Sequence, residues 1–222
     1  MLNNILGNVL DTLLIKDGRI FLRHFHEERT FEAMQFLQLA VNRPMVDDIY
    51  SEIERQHCRQ ENKILRIVFS GSLPLTYTVE MKTREALPLP VKLSVGTIKN
   101  EGNSTRFKWE DRARWTELLQ LKNPGADDIL AVNEDDELVE TSRFNIFAYD
   151  KERDVVLTPP LSSGCINGVY RRFAFSEAAI ELPELGRKVP FEEKILLTEI
   201  KNYRLFVANS VRAVLPAEFI PG

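Results

Sequence analysis

Between Glu140 and Arg171 the chain reads E-T-S-R-F-N-I-F, then T-P-P-L from Thr158, then S-S-G-C-I-N-G-V-Y-R from Ser162. Glu140 supplies a fixed carboxylate. The glycine-bearing turn ahead of Val169 leads into a predicted helix whose first backbone N–H groups can receive an anion. Together these suit a cofactor with a ring nitrogen to keep protonated and a phosphate to hold. Such a cofactor asks for two further things. One is a lysine, because an amine of lowered pKa is both nucleophile and base; the other is a set of cationic or hydroxyl donors for the phosphate. Composition cannot select among the eleven lysines. His24 and His26 stand two apart with no metal motif around them and read as structural, and His57 is a lone helical residue. Cys58 and Cys165 have no metal-like spacing, so no metal site is expected and both read as free thiols, Cys165 as a small buried side chain near the phosphate turn that would be convenient to label.

The elements that must position these groups divide at Glu85-Ala-Leu-Pro-Leu-Pro90, a stiff proline-bearing segment that reads as the interdomain linker. Residues 1–86 form a small α+β domain and 87–222 a larger one carrying the lysine, the glutamate and the phosphate cup. In the first, Leu10 to Ile15, a turn at Lys16-Asp-Gly18 and a return over Arg19 to Leu22 make a hairpin. Apolar residues at helical spacing predict helices over Glu27 to Ala40 and Val46 to Gln60, and strands follow over Ile64 to Phe69 and Leu75 to Met81. In the second, Val91 to Thr97 reads as a strand and Trp109 to Leu121 as a helix. Strand pairs follow over Ile129 to Val132 with Glu137 to Glu140 and over Asn145 to Tyr149 with Val155 to Leu157, then a helix over Gly168 to Ala179.

Composition narrows the function only by exclusion. With 222 residues, 44% hydrophobic and 28% charged, the chain is neither disordered nor membrane-spanning in composition. A net charge of -4 and a pI near 5.6 give no broad basic surface for nucleic acid. The opening MLNNILGNVLDTLLI lacks a basic n-region and a small-residue cleavage site, and Asp11 interrupts it, so no export signal is read and the expected location is cytoplasmic.

The Glu140–Arg171 stretch closely resembles the signature of the fold-type IV pyridoxal-phosphate enzymes, the family of branched-chain and D-amino-acid aminotransferases and of 4-amino-4-deoxychorismate lyase. The resemblance runs roughly from residue 10 to 217. It implies an α/β (α+β two-domain) D-amino-acid aminotransferase-like fold and pyridoxal 5'-phosphate as cofactor. By the family's lysine-to-glutamate separation it selects Lys108, in F-K-W-E-D-R-A-R-W, as the residue that condenses with the cofactor aldehyde and then moves protons. It places Glu140 beside the pyridine nitrogen, with Asn145 as a structural partner near the site. It assigns the phosphate to Gly168 and the backbone N–H groups of Val169 and Tyr170, to Arg29 of the H-x-x-R pattern in H-F-H-E-E-R, and to Ser210 in A-N-S-V-R. Arg212, two residues on, is expected to meet a substrate carboxylate.

Three segments resemble the lyase branch in particular: L-D-T-L-L-I-K-D-G, K-W-E-D-R, and A-N-S-V-R-A-V-L-P-A. The chain departs from the family pattern in starting almost at L-D-T-L, which reads as a shortened N-terminus, in Asp11-Thr12 where E-T is usual, and in Trp109 and Glu110 after the lysine. The resemblance implies a small-molecule substrate and a homodimer. An aminotransferase acting on branched-chain or D-amino acids, and a degenerate homologue that keeps only the cofactor or the fold, are the alternatives.

Overall fold

A computed structural model describes residues 7–60 and 62–220. The first six residues, part of the apolar opening stretch, lie outside them. The described residues fall into two compact units. One holds the chain up to Ala86 together with Phe107–Arg112; the other holds Leu87–Arg106 and the chain from Ala113 onward.

In the first unit an antiparallel sheet has the order β2-β1-β3-β4, from β1 (Val9–Lys16), β2 (Arg19–Ile20), β3 (Lys63–Phe69) and β4 (Tyr77–Thr83). Asp17 and Gly18 both take positive φ, 52° and 73°, the pairing a two-residue hairpin of primed type requires. Two helices, α1 (Arg23–Phe36) and α2 (Arg43–His57), cover the sheet. The Asn42 side chain accepts the Met45 N–H at 3.0 Å to cap α2, whose first turn carries Pro44. Val9, Leu13 and Ile15 from β1, Met34 and Leu37 around α1, Tyr50 and Ile53 from α2, and Leu65, Ile67 and Phe69 from β3 make one buried cluster.

The segment around Lys108 differs from expectation. The helix predicted from Trp109 begins only at Ala113 (α3, Ala113–Gln120), and Phe107–Arg112 packs with the first unit rather than with the larger domain. The physical reason is local. Phe107 and Trp109 alternate about Lys108 as strand residues do, and β2 covers only the far end of β1. The near end therefore pairs with this segment: the Leu10 N–H donates to the Lys108 carbonyl at 2.9 Å, the Glu110 N–H to the Asn8 carbonyl at 2.8 Å, and Val9 bridges Trp109. Both rings pack on Phe36, with centroids 5.0 and 6.3 Å away.

The second unit is built on a sheet of order β12-β9-β8-β13-β14-β5-β6-β7. Its strands are β5 (Val91–Thr97), β6 (Asp128–Val132), β7 (Leu138–Thr141), β8 (Asn145–Asp150), β9 (Val155–Thr158), β12 (Pro190–Glu192), β13 (Arg204–Asn209) and β14 (Ala213–Phe219). An added pairing of β7 with β8, at Glu140 opposite Asn145, closes six of them into a barrel. Residues from all six, among them Leu93, Leu130, Leu138, Ile146, Val207 and Ala217, share one buried cluster. Outside it, Trp115 and Leu118 of α3 pack on Ile129, Ala131 and Val139. Helix α4 (Val169–Ser176) and a small hairpin of β10 (Ile180–Leu182) and β11 (Gly186–Lys188) complete the unit.

No helix among the described residues is long and apolar enough to cross a membrane.

Candidate functional site

In the first unit the chemistry gathers on β1. Successive side chains leave a strand on opposite sides, so Asp11 shares the helix-covered side with Val9 and Leu13 while Thr12 leaves on the other. Thr12 Oγ1 accepts from Lys108 Nζ at 2.9 Å, which holds this half-buried amine at a fixed position. Asp11 is fully buried. Its Oδ1 accepts from the Thr12 N–H at 2.8 Å and from Arg29 Nη2, its Oδ2 accepts from Tyr50 Oη at 2.6 Å, and His26 Nδ1 lies 2.9 Å from both oxygens. Tyr50 has one proton and gives it to Asp11, so the Thr30 hydroxyl, 2.7 Å away, donates to Tyr50.

Burial alone would raise the Asp11 carboxyl, but His26, Arg29 and the Tyr50 hydroxyl hold it well below the usual carboxylate range. Burial and the Asp11 charge push the Tyr50 hydroxyl well above its ordinary value. Burial also lowers His26, against the pull of Asp11 and with help from the charges of Arg29 and Lys108. A neutral His26 that gives its Nδ1–H to Asp11 buries only a lone pair at Nε2, which among the described residues is a fully buried atom without a hydrogen-bond partner.

In the second unit the E-T-S-R-F-N stretch is a tight β7–β8 turn wound about Asp128, the first residue of β6. Thr141 Oγ1 (3.1 Å), Ser142 Oγ (2.6 Å) and Arg143 Nε (3.1 Å) all donate to this fully buried carboxylate. That fixes the two residues flanking the turn. Glu140, 3% exposed, accepts at Oε2 from the Ile166 N–H (3.2 Å) and from Asn145 Nδ2 (3.4 Å), and Asn145 Nδ2 also donates to the Ile166 carbonyl at 3.0 Å. Gly168 follows, and a Cβ there would lie 2.1 Å from Asn145 Oδ1, so only glycine lets the α4 start sit against Asn145. The first amides of α4, from Val169 on, have no acceptor within the helix and leave its positive end open to an anion. Arg171 anchors that end: Nη2 donates to the Pro159 carbonyl (3.2 Å) and pairs with Glu192, and Nη1 donates to Asn167 Oδ1 (3.3 Å).

Ser210 and Arg212 lie in the turn between β13 and β14, Ser210 buried and Arg212 half-buried. Asn209 shapes that turn by accepting the Val211 and Arg212 N–H groups at 3.0 and 2.9 Å, and its Nδ2 donates to the Arg143 carbonyl at 3.1 Å. The two turns are thereby tied together. Lys108 and Arg29 thus belong to the first unit; Glu140, Asn145, Gly168, Val169, Tyr170, Ser210 and Arg212 belong to the second, where Glu140, Asn145 and Gly168 are in direct contact.

Sequence reading named Asp11 and Thr12 only as a departure from the family's E-T and passed over Tyr50 and Asp128. For Asp11 a signal existed: a carboxylate in phase with Val9, Leu13 and Ile15 must be buried, and a buried carboxylate needs partners. His26 is structural, as expected. Cys165 is buried as expected but unsuited to labelling, since burial and the neighbouring Glu140 push its thiol up to about 12. Among the described residues no three of His, Cys, Asp and Glu gather so as to hold a metal ion.

A family model, amino-transferase class IV, matches residues 8–220. No curated protein matches the chain by sequence. Solved structures do match. The 4-amino-4-deoxychorismate lyase from Pseudomonas aeruginosa is 14% identical, with 96% of this chain and 82% of that one covered and a TM-score of 0.79. A fold IV transaminase from Curtobacterium pusillum is 18% identical, with 96% and 78% covered and a TM-score of 0.73. A hypothetical aminotransferase from Mycobacterium tuberculosis, in a PLP-bound form, is 15% identical, with 96% and 80% covered and a TM-score of 0.73. At these identities the likeness is one of fold.

Proposed function

The chain belongs to the class IV aminotransferase family, whose members are pyridoxal-phosphate enzymes, and from that premise we propose that it is a lyase converting 4-amino-4-deoxychorismate to p-aminobenzoate and pyruvate. The donor set suits the cofactor: a positioned amine, a buried carboxylate held by two donors, a glycine-led helix end, and a buried arginine. Lys108 would carry it, and Glu140 would keep its ring nitrogen protonated. The Val169 and Tyr170 amides, the Ser210 hydroxyl and Arg29 would hold its phosphate. When bound, pyridoxal phosphate supplies the electron sink for a carbanion next to the substrate amine.

The observation that carries the lyase reading is that two of the three lyase-like segments lie side by side. L-D-T-L and K-W-E-D-R are joined by the Leu10 N–H to Lys108 carbonyl bond and by the Lys108 to Thr12 contact. Thr12 would orient the Lys108 amine, which takes the proton from the ring carbon bearing the substrate amine. The carbon–oxygen bond to the enolpyruvyl group then breaks, its electron pair leaves with the oxygen, and the ring becomes aromatic; protonation of the released enol gives pyruvate. Arg212 would pair with a substrate carboxylate.

The test is turnover of aminodeoxychorismate with no keto acid present. Equal amounts of p-aminobenzoate and pyruvate support the lyase. A blank assay, beside a keto-acid-dependent reaction with branched-chain or D-amino acids, refutes it in favour of an aminotransferase.

A further inference from the structure

Arg29 is 6% exposed, and a guanidinium that deep is costly unless a carboxylate meets it. Asp11 does so, and Asp11 is itself saturated by the Thr12 N–H, the His26 ring and the Tyr50 hydroxyl. The carboxylate therefore cannot swing, and the arginine it grips through Nη2 cannot sample the many rotamers open to a free side chain. We propose that Asp11 is a positioning residue that fixes the Arg29 fork for the phosphate of the cofactor, with Tyr50 and His26 holding Asp11 in turn. The proposal rests on the reading of Arg29 as a phosphate donor. Its chemical sense is preorganisation: the pair carries no net charge, so an arriving phosphate gains from aimed N–H groups more than from bulk attraction.

The experiment compares, in cofactor-free protein, the affinity for pyridoxal phosphate with that for pyridoxal, which lacks the phosphate. Asp11→Asn should weaken pyridoxal phosphate roughly 10- to 100-fold, the range that loss of a partner orienting a metal-ligating side chain produces, and leave pyridoxal unchanged within about twofold. Asp11→Glu should recover part of the loss. Tyr50→Phe removes the 2.6 Å bond to Asp11 yet keeps the carboxylate, and should lower the phosphate preference by a few-fold in a protein whose fold is intact; it decides the matter should Asp11→Asn fail to fold. Arg29→Ala separates the two levels of the argument. If it leaves the wild-type preference for the phosphate intact, the assignment of Arg29 is wrong. If it abolishes the preference while folded Asp11 and Tyr50 variants retain it, or lose both ligands equally, the positioning role is wrong and the Arg29 assignment stands.

Discussion

Replacing Gly168 with alanine should cost about 2 to 4 kcal/mol of stability, and the reason is Asn145 rather than the backbone. Gly168 has φ -64° and ψ 152°, a conformation open to any residue, so alanine introduces no backbone strain. The added Cβ, however, would stand 2.1 Å from Asn145 Oδ1 and 3.2 Å from its Cγ. Restoring an ordinary contact moves the amide by about 1 Å, which stretches its 3.0 Å bond to the Ile166 carbonyl beyond hydrogen-bond length and takes it away from Glu140. The buried Glu140 and the part-buried Ile166 carbonyl each lose a donor at roughly 1 to 3 kcal/mol, less what relaxation and partial exposure recover. Scanning calorimetry should show a midpoint lowered on the order of 10 °C. The sharper reading is a double-mutant cycle. Asn145→Ala removes the atom that collides, so adding Gly168→Ala to it should cost little more than Asn145→Ala alone, a coupling of about 2 to 4 kcal/mol that recovers most of the single-mutant cost. A Gly168→Ala protein that melts within about 1 °C of wild type, or single costs that simply add, would refute the reasoning.

Borohydride reduction of the cofactor-loaded protein followed by peptide mapping should put the pyridoxyl group on the peptide containing Lys108, and an adduct on any other lysine overturns that assignment. Acid should destabilise the protein in two steps. His26 and Asp11 are both held below their ordinary values of 6.5 and 3.8 in the folded state, so the unfolded chain binds more protons and the stability they contribute, complete above those values, is lost as pH falls below each. His26→Gln should flatten the curve of stability against pH just below 6.5 and Asp11→Asn the part below about 4; unchanged curves refute the buried-network account. We propose a homodimer with a two-fold contact, as in the family it resembles, and light scattering that gives a monomer competent in turnover would refute it.

Much of the second unit's site was legible because its parts are close in sequence. Glu140 and Asn145 flank one tight turn, and Gly168 stands at the helix start it was expected to mark. What joins them to the rest of the fold was not legible. Asp128 holds the turn from the neighbouring strand, and nothing local to Asp128 announces that Thr141, Ser142 and Arg143 will close over it. The places of β13 and β14 in the barrel depend on pairings with the distant strands β8 and β5, which periodicity does not encode. Around Lys108 the motif was readable while its setting was not. A helical reading from Trp109 competed with the alternation of Phe107 and Trp109, and the free end of β1 decided for the extended form.

Asp11 and Thr12 are neighbours, yet one serves Arg29 beneath the helices and the other serves Lys108 on the opposite side of the strand. Such an arrangement limits how the gene can change length. A single codon gained or lost within Val9–Lys16, with Val9 to Leu14 still matched against Ile64 to Phe69, would turn one side of the strand into the other. Leu13 and Ile15 would leave the core in the same event that parted Asp11 from Arg29 and Thr12 from Lys108. An insertion at the Asp17–Gly18 turn, beyond the last of the residues β1 must keep in phase, would leave that phase intact. The hydrophobic register of this strand and the placement of its reactive groups are therefore inherited together.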